Sequence, residues 1–191
     1  MARFDKQRFK PEYQKLVGWN AKEFLHENSK ELVQILIDNN VDVTGNVFEL
    51  GAGPGRNLHY IKEHFTDCTI YGSDQYRDLN QSSKLVRDTV TFYEGDSLDI
   101  IQEPIKDIQL FVVSDHLMHL DYEKGDKVIK AIQWNWKPEY ILLREVKKEF
   151  ETPEHPRLYH QYHQLFTHYD KVYETTSKQS HPYFIWLLKK K

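Results

Sequence analysis

Apolar and polar positions in this chain follow two periods in turn. From about 21 to 39 the residues Phe24, Leu25, Leu32, Val33, Ile35 and Leu36 recur at helical intervals, predicting an amphipathic helix that Asn39-Asn40 ends. Beyond it the apolar runs are short. They predict strands at 47–50, 69–73, 90–94, 108–113 and 139–145, with helices at about 56–65, 77–87 and 122–135. Such alternation is the pattern of a mostly parallel sheet with helices on both faces. The end of the chain changes character. A helix is expected near 157–168, and then 171–176 and 183–188, separated by 177–182, read as a hairpin that adds an antiparallel pair to the sheet. The expected organisation is one domain over 1–191, with an N-terminal cap and first helix in 1–40 and the core in 45–191.

Composition narrows the classes. A chain of 191 residues falls in the usual single-domain range and buries roughly 70 % of the surface its unfolded form exposes. The net charge of −3 gives no broad basic surface, and Arg3, Lys6, Arg8 and Lys10 are scattered, so nucleic acid is an unexpected partner. One cysteine, Cys68, excludes an internal disulfide and fits a reducing compartment. Residues 1–20 hold no continuous apolar run and no run reaches membrane-spanning length, so the expected location is cytoplasmic. Ten histidines invite a metal, with His155, His160, His163 and His168 clustered, but metal sites usually recruit carboxylates or cysteines at set spacing, and Pro153, Pro156 and the many tyrosines here read as a surface helix or pocket wall, so no metal is expected.

The chemistry starts at Val47-Phe48-Glu49-Leu50-Gly51-Ala52-Gly53-Pro54-Gly55-Arg56-Asn57, where an apolar strand breaks into glycines at every second position and then opens a helix. Residues without Cβ atoms let a ligand lie against bare backbone, so this is a binding loop for a nucleoside-like molecule. A dinucleotide fingerprint needs its third glycine where this chain has Arg56, which counts against a nicotinamide cofactor and an oxidoreductase. Two further strand ends carry acids. Asp74 closes the run 69–74 at roughly the 20-residue interval that brings a carboxylate to a ribose diol, and Asp96 follows the next strand in Gly95-Asp96-Ser97.

The run Glu49-Leu-Gly-Ala-Gly-Pro-Gly resembles the first motif of the class I S-adenosylmethionine (SAM) dependent methyltransferases, and Gly95-Asp96 resembles their adenine-binding segment. The resemblance implies a Rossmann-like, doubly wound seven-stranded sheet of order 3-2-1-4-5-7-6. It implies SAM as cofactor, contacted by Glu49, Gly51, Ala52, Gly53, Gly55, Asn57, Asp74, Gln75, Asp96, Ser97 and Ser114. The ligand's positive charges call for a carboxylate, and Glu49 stands nearest the loop. Strand four ends in Ser114-Asp115-His116-Leu117-Met118-His119, without the Pro-Pro-aromatic sequence of enzymes that methylate base amines or glutamine, so a small-molecule acceptor is expected, methylated at oxygen or nitrogen. The alternatives are a non-catalytic SAM-binding protein or an enzyme acting on RNA or protein. The RNA alternative needs a Lys-Asp-Lys-Glu tetrad, for which Asp115 and Glu145 offer two members without the lysines.

His119 is the candidate general base, because imidazole titrates near neutrality, and Asp115 is its candidate catalytic companion or the acceptor of an ammonium. Methyl transfer often needs only proximity, so His116 and His119 read equally well as structural residues of a short helix. Substrate contacts are expected from Tyr13 and Trp19, which with Phe9 fold over the site or pack the first helix, and from His116, Arg144 and His160. Arg144 and Glu145 suit either a charged substrate or a salt bridge to a helix, and Tyr159, His160 and His163 suit a pocket wall.

Overall fold

The computed structural model describes residues 22–75, 82–147, 150–152, 155–157, 160–177 and 183–191, with backbone only for 22–26, 150–152 and 155–157. Helix α1 (Lys22–Asp38) precedes strand β1 (Asn46–Leu50), and α2 (Arg56–His64), β2 (Thr69–Asp74), α3 (Lys84–Thr89) and β3 (Val90–Glu94) follow. Next come α4 (Ser97–Ile100), β4 (Ile108–Ser114), α5 (Tyr122–Ala131) and β5 (Tyr140–Val146). A short hairpin, β6 (Phe150–Thr152) and β7 (His155–Arg157), leads to α6 (Tyr162–Leu165), β8 (Tyr169–Thr176) and β9 (Tyr183–Lys190).

Seven strands form one sheet in the order β3-β2-β1-β4-β5-β9-β8. The first five are parallel, and β9 runs antiparallel to both β5 and β8. Read in sheet order this is the expected 3-2-1-4-5-7-6. Strand period explains the two cores. Val47, Ile70, Leu110, Val112 and Leu142 face α1, α2 and α3 through Leu32, Leu36, Leu58, Ile61 and Val86. Phe48, Leu50, Phe111, Val113 and Leu143 face the other way, onto Ile100, Val128, Ile129, Trp136 and Tyr162. Each central strand is buried on both faces, which is why the parallel strands read as continuous apolar runs.

Three helices depart from expectation. The helix expected at 77–87 is described only from Lys84, where Ser83 caps it by accepting from the Val86 N–H (3.2 Å); residues 77–81 lie outside the described residues. The helix expected to 135 is α-helical only to Ala131 and widens into a π turn over Ile132–Trp136. The wider turn aims Gln133 Nε2 at the Leu165 carbonyl (2.7 Å) and Trp136 Nε1 at the Glu103 carbonyl (3.1 Å). The helix expected at 157–168 is corrected to a single turn, α6. Ahead of it His155–Arg157 is extended, paired with Phe150–Thr152, and Pro156 sits in that edge strand, where its missing N–H does no harm.

Candidate functional site

The strand order reverses between β1 and β4, where an open α/β sheet forms its ligand crevice beyond the carboxyl ends of the strands. Four strand ends deliver residues there: Gly51–Gly55 after β1, Asp74 at the end of β2, Asp96 and Ser97 after β3, and 114–119 at the end of β4. The loop is tied to its neighbour, since the Ala52 N–H donates to the Ser73 carbonyl (2.8 Å). At Gly51 (φ 74°) a Cβ would lie 2.2 Å from His116 Nδ1, so only glycine lets that ring rest against the loop. At Gly53 (φ 52°) a Cβ would meet nothing within 4 Å, and the bare backbone faces open space. Its N–H donates to Asp74 Oδ2 (2.8 Å), which fixes the Asp74 carboxylate beside the loop.

The other carboxylates are held differently. Glu49 is 1 % exposed beneath the loop; its Oε1 accepts from Asn57 Nδ2 (2.6 Å), whose Oδ1 accepts in turn from Ser29 Oγ (2.6 Å). Its Oε2 has no hydrogen-bond partner among the described residues. Burial pushes the Glu49 carboxyl up to about 8, and the nearby charges of Asp74 and Asp115 add to the shift. Asp96 caps α4 by accepting from the Leu98 N–H (2.9 Å) and forms an ion pair with Lys124 of α5. Burial works against its charge, but the Lys124 and Leu98 hydrogen bonds outweigh it and hold the carboxyl below its ordinary range.

At the end of β4 the chain bends through Asp115, which takes a left-handed conformation (φ 58°), into a 3-10 turn over Leu117–His119. Arg144, 2 % exposed on β5, pairs with Asp115 and lies over the Tyr183 ring (4.2 Å). Fully buried Glu145 accepts from three successive backbone N–H groups: His116 (2.9 Å), Leu117 (2.8 Å) and Met118 (3.1 Å). Burial, and then the Asp115 charge, push its carboxyl up to about 8 against those three bonds. The partly buried His116 ring meets Ser97 Oγ through Nε2 (2.8 Å); burial and then Lys124 press its pKa down to about 4, so it is neutral near pH 7. His119 ends the turn, half-buried.

The crevice therefore gathers Gly51, Ala52, Gly53, Gly55, Asp74, Asp96, Ser97, Ser114, Asp115, His116 and His119, with Gln75 exposed just past β2. Two expected ligand contacts turn inward: Asn57 holds Glu49, and Arg144 directs its charge to Asp115 rather than to a substrate or a helix. Glu145 bridges to backbone amides, not to a helix. His160 is also corrected. It is 2 % exposed and donates through Nε2 to the Leu117 carbonyl (2.7 Å), with Gly125 of α5 against its ring, so it buttresses the turn from behind. His163 and His168 are exposed, and among the described residues no group of three or more His, Cys, Asp or Glu could hold a metal. Tyr13, Trp19 and Tyr159 lie outside the described residues. Sequence reasoning missed Lys124, which carries no signal distinguishing it from any exposed helical lysine.

No protein-family model matches the chain. Trans-aconitate 2-methyltransferase of Rhodopseudomonas palustris (strain HaA2) is 24 % identical over 146 residues, covering 69 % of this chain and 57 % of that protein, so the chain spans little more than half of the curated relative. Among solved structures, mitomycin 7-O-methyltransferase MmcR superposes with a TM-score of 0.69 at 12 % identity, over 97 % of this chain and 60 % of that one. Magnesium protoporphyrin IX methyltransferase of Synechocystis PCC 6803, with SAM bound, gives 0.68 at 12 % identity, over 87 % and 79 %. With its strand order and antiparallel closing hairpin, the chain has the fold of the class I S-adenosylmethionine-dependent methyltransferases.

Proposed function

We propose that this chain is a SAM-dependent methyltransferase that methylates an oxygen or nitrogen of a small molecule. The observation that carries the reading is the Gly53 N–H to Asp74 Oδ2 bond at the strand-order reversal, with open space over Gly53. It sets a carboxylate suited to a ribose diol beside a loop that a ligand can approach down to the backbone. The buried Glu49 Oε2, without a hydrogen-bond partner among the described residues, suits the cofactor's ammonium, whose positive charge would draw the carboxyl into its ionised form, and Asp96 suits the adenine amino group. Bound there, SAM supplies a methyl group on a positively charged sulfur, open to in-line attack.

The chain's own residues then have two tasks. Its loop and turn hold donor and acceptor in line, which accounts for much of such a barrier. His119, half-buried at the end of the turn, would accept the proton of a hydroxyl or amine acceptor, a task that a carboxylate acceptor does not need. Asp115, paired with Arg144, orients groups rather than moving protons. The modest net charge of −3 favours a small acceptor over nucleic acid, and one buried cysteine is compatible with a cytoplasmic setting.

Calorimetry with S-adenosylhomocysteine (SAH) and NAD tests the cofactor, with SAH expected to bind and NAD not; the reverse overturns the reading. Transfer of tritium from methyl-labelled SAM tests the acceptor, with trans-aconitate the first single compound, chosen from the relative's name. Label is expected in the small-molecule fraction of a metabolite extract. Label in RNA or protein, or SAH binding with no transfer, would establish one of the alternatives instead.

A further inference from the structure

The 3-10 turn after β4 starts without a side-chain cap of its own. The first amides of such a turn are orphan donors that need acceptors when buried. Here one carboxylate from the adjacent strand takes three of them: Glu145 Oε1 accepts from His116 and Leu117, and Oε2 accepts from Met118. Glu145 is 0 % exposed, so no water substitutes for it. The His116 backbone is thus fixed from the end of β5. Its ring is fixed from the end of β3 by Ser97 Oγ, and lies against Gly51 at the end of β1, where even one added carbon would sit 2.2 Å away.

We propose that Glu145 is a positioning residue for the cofactor crevice, acting through His116, an inference that rests on the SAM reading above. By holding the His116 amide it sets how far the ring stands from Gly51 and Ser97, and so the width of the crevice. A displacement of a few tenths of an ångström at the amide is passed to the ring, because the ring has no slack on the glycine side. Glutamine cannot replace the acid: a carboxyl group offers acceptor lone pairs on both oxygens in either protonation state, whereas the amide nitrogen of glutamine accepts nothing and would turn its NH2 group toward a backbone N–H. Aspartate keeps both acceptor oxygens but lacks one methylene of reach.

The test compares wild type, Glu145→Gln, Glu145→Asp and a control, Val43→Ala, which opens the core just before β1, away from the crevice. Two quantities are read: the Kd for SAH by calorimetry, and the ring nitrogen resonances of His116 by NMR in ligand-free protein. Glu145→Gln is expected to weaken SAH about tenfold and to move the His116 resonances; Glu145→Asp recovers part of both, and Val43→Ala leaves both as in wild type. Unmoved His116 resonances, an SAH Kd within twofold of wild type in Glu145→Gln, or an equal loss in Val43→Ala would overturn the proposal. If Glu145→Gln does not fold, Glu145→Asp is judged alone against the same control. Wild-type protein that does not bind SAH overturns the parent reading, and this inference with it.

Discussion

Gly53 combines open space with a backbone at φ 52°, and the two have separable consequences. A Cβ there meets nothing within 4 Å, so Gly53→Val is expected to cost about 1–2 kcal/mol of backbone strain and to fill the space proposed for the ligand. Far-UV circular dichroism should stay native while SAH binding is lost; loss of the native spectrum would mean that the space is not open. Asp74→Ala removes the acceptor of the Gly53 N–H as well as the candidate ribose ligand. Its Kd for SAH should rise more than tenfold, about 1.4 kcal/mol or more, and an unchanged Kd would mean the ribose is held elsewhere. The places of Gly51, Gly53, Asp74 and Asp96 at strand ends were legible because a strand ending in glycine or an acid is a local pattern. The directions of the Asn57, Arg144 and His160 side chains were not, because whether a polar side chain faces the crevice or the interior depends on partners that only the folded chain brings up, here Ser29, Asp115 and Leu117.

Helix α5 shows packing overriding helix propensity. Replacing an interior helical glycine by alanine ordinarily gains close to 1 kcal/mol, but at Gly125 the new Cβ would sit 2.3 Å from His160 Cε1. The ring would have to leave, breaking its bond to the Leu117 carbonyl in the 3-10 turn after β4. Gly125→Ala should therefore lose on the order of 1–3 kcal/mol in urea unfolding. In the double variant with His160→Ala the two losses should fall short of additive, since one ring carries both; full additivity would separate Gly125 from His160. The same region is where element prediction failed. The apolar periods of the central strands were readable because both of their faces are buried, whereas the conformations of 155–157, with Pro156, and of 160–168 follow from pairing with 150–152 and from packing of His160 on Gly125 of α5. The π turn at Ile132–Trp136 was equally invisible, being chosen by the carbonyls of Glu103 and Leu165.

Over the whole molecule, the alternation of strands and helices made a mostly parallel sheet with a closing antiparallel hairpin legible, while its order 3-2-1-4-5-7-6 followed from the resemblance carried by the glycine motif; the buried charges that the arrangement encloses were legible from neither. Glu49 and Glu145 lie on the two central strands flanking β4, each with its carboxyl raised to about 8, first by burial. A carboxyl raised by folding stays protonated in the native state after the unfolded chain has released its proton. The stability it contributes is complete below about pH 4.5 and is lost as pH rises toward 8. His116, depressed to about 4, acts in the opposite sense: the unfolded chain binds the extra proton, so its contribution grows as pH rises from about 4 to 6.5. Below pH 6.5 the two effects partly cancel. Between pH 6.5 and 8 only the carboxyls remain, and stability should fall by on the order of 2–3 kcal/mol, read from urea midpoints across a pH series. Glu49→Gln cannot ionise and should remove about half of that slope, whereas a flat wild-type profile would mean that both carboxylates are already charged in the fold.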